Sequence, residues 1–448
     1  MEMRELREYQ KKDLEFHLSK DRTCNYSEAG TGKSPTFATY IYYRFLIDGT
    51  KSVLICPGGI MKKNQEDVCD WSGWSEDEVV IVKGDKTKRE AAYKKDEVKC
   101  FIISADTFGK EWEILLENQP KINCCVIDEV HLLYSGHTSK RTQALYAASR
   151  KIKYFMFCTG TPLNGKFSSV YPTIAIIEPR FYMNYQNFLN YHGVYDKFGR
   201  VVGWGRADKL RNIIDRISVR HTFKECYPNS KGYIMFYEKA DMDEALKENY
   251  AQIEEEALLE LEDSNLDCNN PCVKAMRCRQ LLSCPESLNL AVKPKINGKD
   301  ELLRVHLETA KEENARLLIF SVFVQEQYRI KRLCEEIGLS VGLINGSVSN
   351  TKRGEIDVAF RNHDLDVVVA SPQTASIGFN FGFAKEVIFV SMDYQDSSFE
   401  QGIQRLDRGQ REGAIPVYVI GYGSRVERRI MEIVKRKMKE KHEIFGLN

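Results

Sequence analysis

The stretch that most constrains the fold of this chain runs from Ser27 to Ser34 and reads Ser-Glu-Ala-Gly-Thr-Gly-Lys-Ser. It follows a short β-like run, residues 23–26, and precedes a helical run, residues 35–46. Glycines let the backbone wrap closely around an anion, and the helix N-terminus adds a favourable dipole. The pattern predicts a loop that binds the phosphates of a nucleotide, formed by Glu28, Ala29, Gly30, Thr31, Gly32, Lys33 and Ser34.

Two side chains of this loop have predicted roles in holding a nucleotide. Lys33 is placed to pair with the β and γ phosphates, and Ser34 to ligate Mg²⁺. The strict pattern has a glycine where Ser27 stands. A glycine-rich turn before an ordinary helix therefore stays open as the alternative.

An acidic pair lies about one small-domain length further along. Residues 124–127, Cys-Cys-Val-Ile, predict a buried strand that leads directly into Asp128 and Glu129. Open α/β sheets bind ligands at the carboxyl ends of their strands. Asp128 would hold Mg²⁺ through water, and Glu129 would polarise the attacking water as general base. A solvated turn is the alternative for the pair alone, but together with the loop it predicts a nucleotide hydrolase.

Composition sets broad limits on the chain. Its 448 residues suffice for two or three domains, and 43% hydrophobic residues support real cores. The net charge of +1 does not by itself indicate binding to nucleic acid. A basic binding surface would therefore have to be confined to one part of the chain. No apolar run is long enough for a membrane span, and the N-terminus does not resemble a signal peptide. We expect a cytoplasmic protein that does not associate with membranes.

Thirteen cysteines lie mostly within apolar runs, which indicates reduced thiols. A cluster late in the chain also permits a metal site, although its spacing lacks the short Cys-x-x-Cys pairs of zinc knuckles. We favour buried thiols over zinc for this cluster, which comprises Cys268, Cys272, Cys278 and Cys284.

Apolar runs alternate with helical patterns in two parts of the chain, which predicts an α/β fold of parallel sheets with helices on both faces. The predicted strands are 23–26, 52–57, 79–82, 100–103, 124–127, 154–158, 317–320, 341–344, 367–370 and 387–390. We expect an N-terminal domain over residues 1–229, with a helical and aromatic insertion at about 166–222. The C-terminal domain, residues 230–448, would open with a helical lead-in at about 240–290 and end in a basic helix.

Three further side chains extend the predicted nucleotide site. The amide of Gln10 can both donate to and accept from an adenine edge, although a surface position is the simpler interpretation for this residue alone. Arg405 and Arg408 are three residues apart and share a helix face. A second domain without its own phosphate loop can supply arginines in trans that stabilise charge on the γ-phosphate. A solvated helix edge is the alternative.

These motifs together resemble those of superfamily 2 helicases, specifically the Swi/Snf-type group of DNA translocases, over nearly the whole chain. The matching stretches are Leu6-Arg7-Glu8-Tyr9-Gln10 (adenine reading), Glu28 to Ser34 (phosphate loop), Val53 to Pro57 (motif Ia), Asp128-Glu129-Val130-His131 (a DEAH-box variant), Thr159 to Leu163 (motif III), Leu317 to Ser321 (motif IV), Ser371 to Phe381 (motif V) and Gln401 to Gln410 (motif VI).

The resemblance implies two RecA-like lobes, with ATP and Mg²⁺ bound in the cleft between them. In motif V it places Gly378 near the nucleotide. Motifs Ia, Ib, IV and V would hold DNA phosphates, and motif III would couple hydrolysis to movement. The segment 217–224 resembles the group's linker into the second lobe, and residues 276–281 resemble a helix that precedes that lobe's core.

The chain shows no obvious reader domain, which counts against chromatin remodelling. Its compactness resembles phage-encoded repair helicases that migrate branches and regress forks, such as those of T5-like phages. The resemblance therefore implies action on branched or forked DNA in a bacterial or phage-infected cytoplasm. We separately expect a monomer. A duplex translocase that strips proteins, an RNA helicase and an ATP-gated binding module remain as alternatives.

Two regions carry secondary hypotheses. The aromatic residues of the insertion could stack on an unpaired base, although a core role is the more usual one; they are Tyr182, Tyr185, Phe188, Tyr191 and Trp204. The basic run 425–441 has an apolar stripe, and we expect this helix to pack on the second lobe rather than to lie along DNA.

Overall fold

The computed structural model describes residues 5–163, 167–263, 273–288, 297–372, 381–392, 413–433 and 435. The chain forms two compact units that divide between Cys226 and Tyr227. The sequence places the division near residue 230. Each unit is built around its own parallel β-sheet.

The first unit alternates strands and helices up to residue 158 and ends in a mainly helical region. Its helices are α1 (Glu8–Ser19), α2 (Lys33–Asp48), α3 (Met61–Ser72), α4 (Lys86–Tyr93), α5 (Ala105–Asn118), α6 (Val130–Leu133), α7 (Lys140–Ala148), α8 (Tyr171–Ile177), α9 (Pro179–Tyr182), α10 (Tyr185–His192), α11 (Ala207–Ile217) and α12 (Phe223–Cys226). Its strands are β1 (Arg22–Asn25), β2 (Lys51–Ile55), β3 (Val79–Ile81), β4 (Cys100–Ile103), β5 (Ile122–Asp128), β6 (Tyr154–Cys158), β7 (Gly193–Tyr195), β8 (Val201–Trp204) and β9 (Ser218–Val219).

Seven of these strands form one sheet in the order β3-β4-β2-β5-β6-β1-β9. Every pair of neighbours is parallel. The central strands β2, β4 and β6 are buried along their whole length, because helices cover both faces of a parallel sheet. This confirms the predicted α/β fold.

The insertion contains more strand than the sequence analysis expected. Helices α8 to α11 were anticipated as irregular helices, but β7 and β8 form an antiparallel hairpin that was not predicted. The aromatic residues pack largely inward. Tyr182 and Phe188 belong to the core, and Tyr185 and Trp204 lie partly buried against it, whereas Tyr191 remains 38% exposed.

The second unit has the same alternating organisation. Its elements are β10 (Tyr233–Lys239), α13 (Glu244–Asp263), α14 (Val273–Ser283), α15 (Gly298–Glu312), β11 (Leu317–Phe320), α16 (Val324–Ile337), β12 (Val341–Ile344), α17 (Asn350–Asn362), β13 (Val367–Ala370), β14 (Glu386–Phe389) and β15 (Ile415–Gly421). Six strands form a parallel sheet in the order β10-β15-β14-β11-β13-β12.

Alternation along β11 shows that both faces of this sheet are covered. Leu318 and Phe320 belong to one hydrophobic cluster, and Leu317 and Ile319 to another. Successive side chains of a strand point to opposite faces, so two clusters sharing one strand lie on opposite sides of the sheet.

Residues 425–433 form a helix whose apolar stripe packs within the second unit. Val426, Ile430 and Ile433 are buried in a cluster with Leu246 and Leu281. This part of the basic C-terminal run therefore has the packing expected of a docked helix. The remainder of the run, apart from Lys435, lies outside the described residues.

Two compositional expectations concern membranes and metals. In the part of the chain that the structure describes, no helix is long and apolar enough to cross a membrane. Within the same residues, no group of three or more His, Cys, Asp or Glu side chains is arranged to hold a metal ion. Cys278 and Cys284 are buried free thiols, whereas Cys268 and Cys272 lie outside the described residues.

Candidate nucleotide site

Strand order brings the predicted motifs of the first unit together. Ile55 of β2 pairs with Ile127, and β6 lies between β5 and β1. Because all these strands are parallel, their carboxyl ends share one edge of the sheet. The phosphate loop after β1, the acidic pair at the end of β5 and the segment after β6 therefore meet at this edge.

The loop has the backbone geometry that an anion site requires. Gly30 and Gly32 have φ angles of 79° and 83°, in the left-handed region that favours glycine. A Cβ atom on Gly32 would lie 2.4 Å from the side-chain nitrogen of Gln10, so no larger residue fits without a shift. Helix α2 begins at Lys33, which gives the loop the N-terminus of a 16-residue helix.

The ammonium of Lys33 lies over this loop. Its Nζ donates to the carbonyl oxygens of Ser27 and Glu28, at 2.9 Å each. Phosphate oxygens would compete with these carbonyls for the same charge. Lys33 is therefore held where a cation can neutralise an anion bound by the loop.

Asp128 is the last residue of β5 and is only 7% exposed. One carboxylate oxygen accepts the backbone N–H of Glu129 at 3.0 Å, and the other accepts the Asn64 amide at 3.1 Å. Burial raises the pKa of Asp128 and the charge of Glu129 adds to this, while the Asn64 hydrogen bond and the Lys63 charge oppose it. The two hydrogen bonds fix the plane of the carboxylate.

Glu129 adopts a strained backbone conformation. Its φ of 53° and ψ of 48° lie in the left-handed region, which is uncommon for residues other than glycine. Such strain clusters at functional sites, where the surrounding structure maintains it. Its carboxylate lies 3.5 Å from Nδ1 of His131, and the same ring nitrogen lies 2.7 Å from the Thr159 hydroxyl. The acidic pair is thereby connected to the segment after β6.

That segment also touches the phosphate loop. A Cβ atom on Gly160 would lie 3.0 Å from the backbone nitrogen of Ala29 and 3.5 Å from Nζ of Lys33. Glycine therefore allows this segment to lie against the loop. Thr159 and Gly160 thus contact both the acidic pair and the loop. A segment in this position could couple hydrolysis to movement, as predicted for motif III.

The first turn of α1 contacts the loop as well. The Tyr9 hydroxyl donates to the carbonyl of Thr31 at 2.7 Å, and the Gln10 amide donates to that of Gly32 at 3.0 Å. The Gln10 side-chain oxygen accepts the backbone N–H of Arg7. Gln10 is buried and supports the loop, so its predicted role in reading adenine would require part of this arrangement to change.

The segment around β9 also contacts the loop, and the sequence analysis did not predict this. Tyr26 donates its N–H to Val219, and Glu28 donates its N–H to the carbonyl of His221, both at 2.9 Å. His221 also pairs with Asp13 at 2.8 Å, which raises the pKa of the imidazole despite partial burial. The family resemblance predicted that residues 217–224 form a linker into the second lobe. It did not predict that this segment contacts the loop.

Helix α3 supplies a second set of residues that the sequence analysis missed. Asn64 binds Asp128 as described, and Lys63 lies 3.6 Å from the carboxylate of Asp67. Burial raises the pKa of Asp67, while the Lys63 charge and the Ser34 hydroxyl lower it. Asn64 and Asp67 are three residues apart on a helix and share a face, which is the available sequence signal.

The predicted site residues of the second unit cannot be placed in the same way. Gly378, Arg405 and Arg408 lie outside the described residues. In motif IV, Ser321 is fully buried and donates to Glu326 at 2.6 Å. Its hydroxyl therefore serves the packing of the second unit rather than a surface that could contact DNA phosphates.

The polar groups at this edge of the first unit are suited to binding ATP and Mg²⁺. The loop offers backbone N–H groups and an ammonium to phosphates, and Ser34 and Asp128 offer oxygen to a hard cation. Mg²⁺ prefers a few oxygen ligands from the protein, together with waters and substrate phosphates. Residue assignments within this site remain predictions.

Comparison with known proteins agrees with this arrangement. The model of the SNF2-related domain matches residues 6–289, and that of the helicase conserved C-terminal domain matches residues 298–413. A CHD3-type chromatin-remodeling factor of Arabidopsis thaliana, CHR7, is 21% identical over 94% of this chain and 35% of its own length. A probable ATP-dependent DNA helicase of the same plant, CHR12, is 23% identical over 70% of this chain and 30% of its own.

The chain thus spans about a third of the length of these curated relatives. Among solved structures, the SWI2/SNF2 ATPase core of Sulfolobus solfataricus in complex with dsDNA is 19% identical. That alignment covers 99% of this chain and 94% of the other, with a TM-score of 0.44. The domain matches cover both units, and we conclude that the chain belongs to the SNF2-related family, which confirms the superfamily 2 ATPase and helicase class that its motifs imply.

Proposed function

We propose that this protein is an ATP-driven motor that translocates on DNA and processes branched substrates, by unwinding or regressing forks and by migrating four-way junctions. The observation that carries the proposal is the meeting of the phosphate loop, the acidic pair and the Thr159 segment at one sheet edge. These are the parts that phosphoryl transfer to water requires.

Each part has a distinct role in the proposed reaction. Lys33 and the loop N–H groups bind the phosphates, and Ser34 and Asp128 hold Mg²⁺ directly and through water. The cation neutralises charge on the β and γ oxygens when bound. Glu129 accepts a proton from the attacking water, and its contact with His131 connects it to Thr159.

DNA is the favoured track because of family membership. The curated relatives include a probable ATP-dependent DNA helicase. The preference for branches rests on the resemblance to phage repair helicases. Two relatives carry the name of chromatin-remodeling factor, and the matches cover 35% and 24% of their length.

A strand-resolved gel assay tests the proposal. Wild type and Lys33→Ala would receive ATP with a synthetic fork, a four-way junction, a tailed duplex and an RNA duplex. We expect wild type alone to convert the fork and the junction, with little action on RNA. ATP hydrolysis that duplex DNA stimulates without any strand product would instead indicate a translocase that displaces proteins.

The RNA arm of this assay addresses a specific alternative. A short match, 24% identical over 30% of this chain, relates it to the ATP-dependent RNA helicase DBP3 of Phaeosphaeria nodorum. RNA unwinding at a rate equal to that on forked DNA would overturn the choice of DNA. Equal ATP hydrolysis by wild type and Lys33→Ala would overturn the phosphate-loop assignment itself.

A further inference from the structure

We propose that the hydrogen-bonded pair of Asp13 and His221 positions the phosphate loop, so that breaking the pair weakens the binding of nucleotide phosphates. The inference rests on the proposed function, because it concerns the same loop. It assigns a role in nucleotide binding to the segment 217–224, for which the family resemblance predicted a linker.

The backbone of His221 holds the first part of the loop. Its N–H donates to the hydroxyl of Ser27 at 3.1 Å, and its carbonyl accepts the N–H of Glu28 at 2.9 Å. The carbonyls of the same two loop residues accept hydrogen bonds from the ammonium of Lys33. Ser27 is only 2% exposed, so water cannot readily replace its bond to His221. His221 therefore fixes the peptide groups on which the position of Lys33 depends.

The first turn of α1 holds the second part of the loop. The Tyr9 hydroxyl donates to the carbonyl of Thr31 at 2.7 Å, and the Gln10 amide donates to the carbonyl of Gly32 at 3.0 Å. These two loop residues directly precede Lys33, where α2 begins. Helix α1 therefore restrains the part of the loop that leads into α2.

The side chain of His221 joins these two restraints. Its Nε2 lies 2.8 Å from a carboxylate oxygen of Asp13, and since a carboxylate only accepts hydrogen bonds, the ring nitrogen donates. The imidazole also lies against the Tyr9 ring, with 5.0 Å between the ring centroids. Asp13 and Tyr9 are four residues apart on α1 and share one face of it. The pair thus connects the helix that holds one half of the loop to the segment that holds the other half.

A loop that is held on both sides has fewer conformations to lose when it binds a phosphate. Ordering a flexible loop costs free energy, and restraint in the free protein removes part of that cost. The Asp13 side chain is only 6% exposed, so solvent screens its attraction to His221 weakly. We expect loss of the pair to change nucleotide affinity rather than the chemical step, because neither side chain has a role in activating water in the proposed reaction.

The charges around His221 determine how the pair responds to pH. The hydrogen bond to Asp13 raises the pKa of His221, partial burial lowers it, and the charge of Glu225 on α12 adds to the upward shift. Arg220, the preceding residue, lies 3.9 Å from the carboxylate of Glu28 in the loop. Since the pair is strongest when His221 is protonated, the affinity it contributes should be complete at low pH and fall as pH rises through the raised pKa.

Equilibrium binding of a fluorescent ADP analogue to the full-length protein, with Mg²⁺ present, tests the proposal. We expect His221→Gln to raise the Kd by about tenfold near pH 6, the effect of losing one charge-assisted hydrogen bond, and by less near pH 9. Turnover at saturating ATP should stay within about twofold of the wild-type value. An equal rise in Kd at both pH values would indicate general loosening of the first unit and would overturn the assigned role.

Asp13→Asn tests the same pair from α1 and should raise the Kd to a similar extent. In the His221→Gln background it should add less than about a twofold loss, because the interaction is already absent. A full additional loss there would overturn the pairing. The matched control is His363→Gln, which removes a histidine that lies 3.9 Å from Asp366 in the second unit and should leave the Kd unchanged.

Failure of the inference differs from failure of the proposed function. If wild type does not bind the ADP analogue, or Lys33→Ala binds it equally well, the nucleotide site is wrong and the inference is overturned with it. If Lys33→Ala loses binding while His221→Gln and Asp13→Asn keep the wild-type Kd, the inference alone is overturned.

Discussion

The carboxylate of Glu28 accepts the backbone N–H of Phe223 at 2.8 Å, across 195 positions of sequence. Arg220 lies 3.9 Å from the same carboxylate, and the backbone N–H of Glu28 donates to His221. The carbonyl of Glu28 accepts from Lys33. One residue of the predicted phosphate loop therefore contacts both Lys33 and the segment that leads to Tyr227, where the second unit begins.

Replacement of Glu28 should loosen that segment. Glu28→Ala leaves a partly buried N–H without its acceptor, and we expect a loss of about 1–2 kcal/mol in the unfolding free energy of the first unit. Chemical denaturation of the full chain measures this. Glu28→Gln keeps an acceptor and should lose less, and Glu15→Ala, at an exposed position of α1, should change little. A Glu28→Ala protein as stable as wild type would contradict the role.

Replacement of Lys33 should abolish productive ATP binding. Lys33→Ala removes the counter-ion of the phosphates, so nucleotide affinity falls while the fold persists. Titration with a fluorescent ATP analogue measures the affinity, and circular dichroism monitors the fold. Lys62→Ala removes an exposed lysine that pairs with Glu76 and serves as the control. Wild-type affinity in Lys33→Ala would exclude this lysine from phosphate binding.

Replacement of Glu129 should separate binding from hydrolysis. Glu129→Gln keeps the shape of the side chain but removes the base, so ATP should still bind while turnover falls by about 10²–10⁴. Single-turnover hydrolysis with labelled ATP measures the chemical step. Glu113→Gln, on the exposed face of α5, should hydrolyse ATP at the wild-type rate. Near-normal turnover in Glu129→Gln would remove it as the general base.

The two arginines of motif VI should act mainly in the transition state. Arg405→Ala and Arg408→Ala are predicted to spare nucleotide affinity and to lower hydrolysis, because a finger stabilises charge that develops on the γ-phosphate. Parallel measurements of the nucleotide Kd and of kcat test this. If affinity falls and turnover does not, these arginines contact the ground state instead.

The stability of the second unit should depend on pH through His306. Its two ring nitrogens lie 3.0 Å from the carboxylates of Glu238 and Glu386, and the ring lies 4.5 Å from that of Tyr418. Burial lowers the pKa of His306, but the two carboxylates raise it more, so the net shift is upward. Protonated His306 therefore stabilises the packing of α15 on β10 and β14.

The sign of this effect follows from linkage. A pKa raised by folding contributes stability that is complete below the unfolded value of about 6.5 and is lost as pH rises through the folded value. His306→Gln should cost on the order of 1 kcal/mol at pH 5.5, roughly 2–4 °C in Tm, and less at pH 9. Scanning calorimetry at both values measures it, and an equal cost at both would contradict the linkage.

Local sequence pattern was sufficient for much of the fold. The strands β6, β11, β12 and β13 begin and end at the predicted residues, because each is a short apolar run between turn signals. Two neighbouring strands were missed. Strand β10 begins with a β-favouring run, Tyr-Ile-Met-Phe-Tyr, that was not assigned to a strand, and all of its side chains are exposed or half-buried. Pro416 in β15 argues locally against a strand.

The sequence by itself determined that this chain has a glycine-rich loop before a helix, an acidic pair after a strand and two alternating α/β regions, because these depend on residue types at short, fixed spacings. Only the tertiary structure decided which other residues meet the loop. The contacts of Asn64 with Asp128 and of Glu28 with Phe223 span 64 and 195 positions. Such contacts depend on strand order, which packing of the whole sheet sets and which no local spacing encodes.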